Sequence, residues 1–208
     1  MKIHILPLGS YQTNCYIVHA EDAKTCAVID PGYAASTILS KVDALGLTVD
    51  AILLTHGHFD HTGGIATLRR ELHIPVMAFE NADLYLLNPV KNLSRHCGPD
   101  ITVSRAEFFH DGDVLSLEAN PSCSLRALWT PGHTEDSVIF YSEKEKTAFV
   151  GDTIFRGSIG NSSYPGGNRE QLVHSITHTI FSLPEETTLL SGHSEPTTVG
   201  AEKRRYRW

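Results

Sequence analysis

AILLTHGHFDHTGG, residues 51–64, packs His56, His58, Asp60 and His61 into six positions directly behind an apolar run. A short continuous apolar run is the mark of a buried strand. If the chain leaves that strand still extended, side chains two apart share a face. His56, His58 and Asp60 then converge on one side, and His61 joins them only where the chain turns into the following helix. Gly63 and Gly64 lack a Cβ and would let the backbone come close to such a site. One loop of this composition can feed two neighbouring metal positions but complete neither, since a tetrahedral site takes about four ligands.

Three later stretches have the same form: a strand, a turn and one metal-type side chain. LWTPGHTEDS presents His133, AFVGDTIF presents Asp152, and TLLSGHSEP presents His193. In a layered fold such strand ends gather at one edge, where sites are commonly built. Taken singly, each is an ordinary polar cap on a strand. Together with H-x-H-x-D-H they point to a metal centre.

The rest of the chain supplies the scaffold. KIHILPL, TNCYIVHA and TCAVID read as strands, and residues 35–46 as a helix ending at Gly46. TGGIATLRRELH reads as a second helix and IPVMAF as a strand. The second half returns to strands in AEFFHDGDVL, SCSLRALWT, SVIFYS and TAFVGD. A helix over about 168–182, strand TTLLSG and a short helix from about Thr197 complete the chain. Two passes of strands and helices predict two sheets face to face with helices outside, as one domain over residues 1–208. Residues 88–100, NPVKNLSRHCGPD, form a long polar loop that is predicted to border the substrate pocket.

Composition narrows the function classes. The 208 residues carry a formal net charge of −7, which disfavours nucleic acid as a partner. The basic run Lys203, Arg204, Arg205 and Arg207 reads as a solvated face. No stretch is long and apolar enough for a membrane span, and no export signal is evident at the N-terminus, so a cytoplasmic protein is expected. Cys15, Cys26, Cys97 and Cys123 form no C-x-x-C pair and are expected to be reduced, buried thiols. Among the remaining histidines, His110 is expected to be structural or exposed, while His96 lies in the loop that could touch substrate.

The set TNCYIV, IDPG, LLTHGHFDHTGG, TPGHT, GDTIFRGSIG and SGHSEPTTVG resembles the metallo-β-lactamase superfamily. Within it the chain is similar to the glyoxalase II-like hydrolases, as a short member without their C-terminal helical domain. The resemblance implies an α/β fold, a four-layer αβ/βα sandwich with a dinuclear site between two mixed sheets. It implies that His56, His58 and His133 hold one cation and that Asp60, His61 and His193 hold the other. Asp152 would bridge them, and Asp30 would support the ligand loop. Two divalent cations are implied, zinc first, with iron and manganese also suited to these ligands.

The implied chemistry is attack of a metal-activated water on an acyl carbon, with Asp60 orienting the water and handling its proton. The absence of G-x-S-x-G agrees with a mechanism that has no acyl-enzyme. The expected substrate is a small acyl compound, first a thioester of the S-lactoylglutathione type. The alternative is another ester, a lactone or a β-lactam. A third reading, a mononuclear iron persulfide dioxygenase, leaves one metal position unused and sits poorly with a full ligand set. Where relatives place a basic residue this chain has Asn161, with Ser163 and Tyr164 nearby. Where they place an aromatic after the last histidine it has Glu195. These departures predict weak binding of glutathione thioesters. The oligomeric state is not legible.

Overall fold

Apolar residues at successive positions, rather than at alternate ones, dominate the central strands, and the reason is that both faces of each sheet are covered. The computed structural model describes residues 1–117 and 120–206. The first sheet has the order β1 (Lys2–Leu8), β2 (Thr13–His19), β3 (Thr25–Ile29), β4 (Thr48–Leu53), β5 (Val76–Phe79) and β6 (Glu107–Phe109). The first three strands pair antiparallel, and β3 to β6 pair parallel. Crossovers between the parallel strands carry α1 (Ala35–Ala44), α2 (Phe59–Thr62), α3 (Ile65–Leu72), α4 (Asp83–Leu86) and α5 (Ser94–Cys97).

The second sheet is built from β7 (Val114–Leu117), β8 (Asn120–Trp129), β9 (Val138–Ser142), β10 (Thr147–Gly151), β13 (Thr188–Ser191) and β14 (Thr197–Thr198), with β7 and β14 at its edges. Only β10 and β13 pair parallel. A small hairpin of β11 (Ile154–Phe155) and β12 (Ser158–Ile159) stands apart. Segment α6 (Arg169–His174) and the terminal α7 (Val199–Arg205) complete the chain.

Inward residues of the two sheets meet in one core. Tyr16, Val18, Ile29, Leu53 and Phe109 from the first face Leu125, Val138, Phe140 and Phe149 from the second. The alternate residues point outward. Ile17, Val28 and Ile52 pack on Ile38 and Val42 of α1 and on Ile65 and Leu68 of α3. Ile139, Ala148 and Val150 pack on Leu172, Ile176 and Ile180. Each fully buried side chain of this size contributes about 1.5–3 kcal/mol of transfer free energy. The result is the αβ/βα sandwich that the resemblance implies.

Several local expectations change. AEFFHDGDVL is not one strand. It is β6 in the first sheet and β7 in the second, joined by a turn in which Asp113 Oδ2 accepts the His110 N–H at 2.8 Å and Gly112 takes φ +86. The helix expected over 168–182 is α-helical only to His174, then widens to a π-turn at Ser175–Thr179 and tightens to 3₁₀ at Ile180–Ser182. There the Thr177 hydroxyl donates to the Val173 carbonyl at 2.8 Å and competes with the backbone ladder. The helix expected from Thr62 is present as α3 from Ile65, and a separate short helix, α2, precedes it. Gly63 and Gly64 press against the Pro31–Gly32 backbone rather than the site itself, since a Cβ on them would lie 2.7 and 2.8 Å from its carbonyl oxygens.

Cys15, Cys26 and Cys123 are buried as expected, and burial raises the thiol pKa of each. Cys97 is exposed, contrary to expectation, because α5 turns it outward. In the C-terminal basic run Arg204 faces Glu185 at 3.6 Å, and Arg207 lies outside the described residues. Among the described residues no helix is long and apolar enough to cross a membrane.

Candidate metal centre

The strand directions explain why distant residues meet. β3 and β4 run parallel, and β8, β10 and β13 point the same way as one another. The segments after β4, β8, β10 and β13 carry the candidate ligands, and they reach one edge of the sandwich. Hydrogen bonds between the sheets hold that edge shut. Val138 N–H donates to the Thr55 carbonyl at 2.9 Å, and Asn14 N–H donates to the Gly192 carbonyl at 2.7 Å. The Tyr16 hydroxyl donates to the Ser191 carbonyl at 2.6 Å.

All seven side chains singled out as ligands lie at this edge. They form three overlapping groups: His56, His58 and His133; His56, His61 and Asp152; Asp60, His61 and His193. Within each group the ligand atoms lie within 4.8 Å of one another. The extended geometry lasts only through His58, whose φ −65 and ψ 147 lead into α2. Helical turning then moves Asp60 beside His61 and His193 instead of beside His56 and His58. Asp152 stands between the groups, with Oδ1 3.5 Å from His61 Nε2 and Oδ2 3.7 and 3.4 Å from His133 and His193 Nε2.

Hydrogen bonds assign the tautomers of four of the five histidines. His133 Nδ1–H donates to the Asn161 carbonyl at 2.7 Å, and His193 Nδ1–H donates to the Tyr11 carbonyl at 3.2 Å. His61 Nδ1–H donates to Asp30 Oδ2 at 2.9 Å. Thr55 Oγ1 donates to Asp30 Oδ2 at 2.6 Å, which leaves it to accept from His56 Nδ1 at 3.2 Å. In each case Nε2 is left facing the centre. His58 faces inward through Nδ1, which lies 3.1 Å from His56 Nε2 and 3.0 Å from His133 Nε2. Three ring nitrogens, two of them fixed as lone pairs, converge at hydrogen-bond distance with no proton assigned between them. Buried His61 Nε2 and Asp152 Oδ1 have no hydrogen-bond partner. This donor set fits divalent cations and is poorly satisfied by protein alone.

The protonation pattern divides the same way. Burial, then the neighbouring imidazoles, hold His56 well below the usual imidazole range and push His58 down to about 3. Burial also lowers His133. In the other half burial again pulls downward, but carboxylates outweigh it. Asp60, Asp152 and Asp30 hold His61 well above its ordinary value, and Asp152 and Asp60 raise His193 to about 10. Protons on these two rings stand where cation charge would, and metal binding would displace them.

Gly192 is required by close approach, since a Cβ there would lie 2.2 Å from Asp152 Oδ1 and 2.7 Å from His61 Cε1. Asp30 lies beneath the ligand loop, bonded to His61 and Thr55. Thr55, which links Asp30 to His56, escaped the sequence reading, although its place between strand and first histidine was a usable signal.

A cleft of about 730 Å³ opens over the cluster. His96, Asn161 and Tyr164, the candidate substrate contacts, all line it. Leu93 and Cys97 from the 88–100 loop line it too, so that loop borders the cleft as expected. Asn161 does more than face the cleft. Besides fixing His133, its Oδ1 accepts the Ser163 N–H at 2.9 Å. Tyr11 and Phe155 are lining residues that the sequence did not flag. His110 is exposed and far from this set, between Glu80 and Asp113.

Known proteins are similar to this chain along nearly its whole length. The chain is 32% identical over 207 residues to hydroxyacylglutathione hydrolase GloC of Haemophilus influenzae, covering 98% of this chain and 96% of that one. It is similar to the crystal structure of BLEG-1 B3 metallo-β-lactamase, with TM-score 0.90, 35% identity and coverage of 98% and 97%. It is similar also to TTHA1623 in a di-iron-bound form, with TM-score 0.86, 32% identity and coverage of 98% of both chains. The Lactamase_B family model matches residues 8–193, a span that holds every one of the convergent histidines and aspartates, and the chain belongs to the metallo-β-lactamase superfamily.

Proposed function

We propose that the protein is a dinuclear metal-dependent acyl hydrolase, acting first on thioesters. The observation that carries the reading is the convergence of five imidazoles and two carboxylates at the floor of an open cleft. His56, His58 and His133 would hold one cation, Asp60, His61 and His193 the other, and Asp152 both. Zinc suits these ligands, and similarity to a di-iron form makes iron the second choice. When bound, such cations supply a water acidic enough to act as a nucleophile near neutral pH and a positive charge for the carbonyl oxygen.

The chain's own residues do the rest. Asp60 Oδ2 accepts the Thr13 hydroxyl at 3.2 Å and lies 3.1 Å from His193 Nε2, which fixes its carboxylate at the cleft floor. It is placed there to orient the attacking water and to take its proton. Burial opposes its ionisation, yet His61 and His193 keep its pKa below the ordinary value, so it stands as a carboxylate able to accept a hydrogen bond from water. Asn161 and Tyr11, through their carbonyls, keep His133 and His193 oriented during turnover.

Thioesters come first because of the similarity to GloC, whose name states that chemistry. A second reading, hydrolysis of another ester, a lactone or a β-lactam, is favoured by the similarity to BLEG-1 across the whole chain. The test is steady-state kinetics of metal-quantified protein on thioesters, lactones and β-lactams, with oxygen uptake followed in parallel. Thioester turnover without oxygen uptake is expected. Oxygen consumption with a persulfide, and no hydrolysis of any acyl compound, would overturn the proposal.

A further inference from the structure

The walls of the cleft differ in character from its floor. The floor is the histidine and aspartate cluster. The walls come from four separate segments: Tyr11 from the turn between β1 and β2, Leu93 and Cys97 from the 88–100 loop, Phe155 from the β11–β12 hairpin, and Tyr164 with Pro165 from the loop before α6. Among the described residues, no lysine or arginine lines the cleft. The bordering loop does carry cations, but its own region engages them. Lys91 Nζ lies 2.5 Å from Glu135 Oε2, and Arg95 forms a two-pronged pair with Asp100. The net charge of −7 adds a long-range bias against anions.

Aromatic rings flank both halves of the cluster. Tyr164 meets His58 edge-to-face at 5.9 Å, and Phe155 meets His193 at 6.1 Å. Tyr11 stands on Phe59 at 5.2 Å. Tyr11 is 47% exposed and Tyr164 41% exposed, so large apolar faces are left open beside the reacting centre. Open aromatic surface in a cleft of this volume is binding surface for an apolar group. An anionic group seated against these rings would lose water and meet no lysine or arginine among the described lining residues.

We propose that this cleft selects uncharged acyl compounds bearing an alkyl or aryl group, seated against Tyr164 and Phe155, and disfavours the charged thiol half of glutathione thioesters, which carries two carboxylates and one ammonium. For the reaction this rests on the acyl-hydrolase reading above; for binding it does not.

The test uses metal-loaded protein and two thioethers that cannot be hydrolysed, S-hexylglutathione and S-hexyl-N-acetylcysteamine. They share the alkyl tail and differ in charge. Calorimetry should show the neutral thioether binding roughly tenfold tighter. Tyr164→Ala and Phe155→Ala should each weaken it by roughly fivefold, the size of one aromatic contact, with metal content unchanged. Equal or tighter binding of S-hexylglutathione, no binding of the neutral thioether, or indifference to both substitutions would overturn the proposal. Matched S-acyl thioesters of the two thiols separate it from the reaction. Neutral-selective binding without turnover of any acyl compound removes the hydrolase reading and leaves the cleft assignment. Turnover with preference for the glutathione thioester does the reverse.

Discussion

Asp30 Oδ2 accepts a hydrogen bond from His61 Nδ1 at 2.9 Å, and the same oxygen takes the Thr55 hydroxyl at 2.6 Å. Asp30 Oδ1 accepts the Thr55 N–H at 2.8 Å. Asp30 is buried at the end of β3 with φ +52, a backbone conformation that turns its carboxylate under the ligand loop. One side chain therefore orients His61 directly and His56 through Thr55, so the two halves of the cluster share a support.

Asp30→Asn keeps the shape and loses that support. An amide must turn its NH₂ toward Thr55 or toward His61 Nδ1–H, and each position already presents a donor. Metal affinity is expected to fall by about 10–100-fold, the usual consequence of removing such a partner. Competition against a chromogenic chelator measures it. Unchanged affinity would show that His61 is held by packing alone.

Asp152 reaches both halves, so its removal should be felt by both cations. Protein purified without chelator is expected to hold about two cations per chain, as a paired site requires. Asp152→Ala should lower that content and abolish acyl hydrolysis, because two cations without the shared carboxylate repel each other. Elemental analysis and kinetics on the same sample decide the matter. A variant that kept both cations and full turnover would remove Asp152 from its bridging position.

Gly192→Ala tests the packing behind the cluster. The added Cβ would lie 2.2 Å from Asp152 Oδ1, so either the carboxylate or the β13 turn must shift. The expected cost is about 1–3 kcal/mol of stability, as for other overpacked sites, together with lost metal. Urea unfolding and metal analysis read the two effects. Wild-type values in both would mean that this turn yields freely.

How much of this was legible follows from which interactions are local. His56, His58, Asp60 and His61 announced themselves because H-x-H-x-D-H follows an apolar run, and His133, Asp152 and His193 because each follows a strand. The grouping of Asp60 with His61 was not visible from strand alternation, since it depends on α2 starting right after His58. The division of AEFFHDGDVL between two sheets was hidden because Phe109 and Val114 suit either sheet equally. The cleft walls were least legible. Tyr11 and Phe155 sit in short turns with no periodicity, and only the meeting of the sheets brings them together. Tyr85 is a similar case: its hydroxyl joins Glu135 and Pro165, and no spacing in the sequence links the three.

Asp136 carries the last prediction. It is 1% exposed, three residues past His133, and faces Gly57 in the ligand loop so closely that a Cβ there would lie 3.2 Å from Oδ2. Neither carboxylate oxygen has a well-formed hydrogen bond. Burial pushes its pKa up to about 7, and the dipoles of Thr134, its own amide and Gly57 offset this only in part. The folded state thus holds this proton more tightly than the unfolded chain. The stability it contributes is full below the ordinary value of 3.8 and is lost as pH rises toward about 7. The loss runs at up to about 1.4 kcal/mol per pH unit and stops once both states are ionised. Asp136→Asn has no proton to lose. Its stability advantage over the wild type should widen from about pH 5 to about pH 7 and level off above. Urea unfolding of both chelated proteins across that range measures the difference, in which the other titrating groups cancel. An advantage that stays constant, or narrows with rising pH, would mean that Asp136 is a carboxylate held by donors rather than a neutral acid beneath the ligand loop.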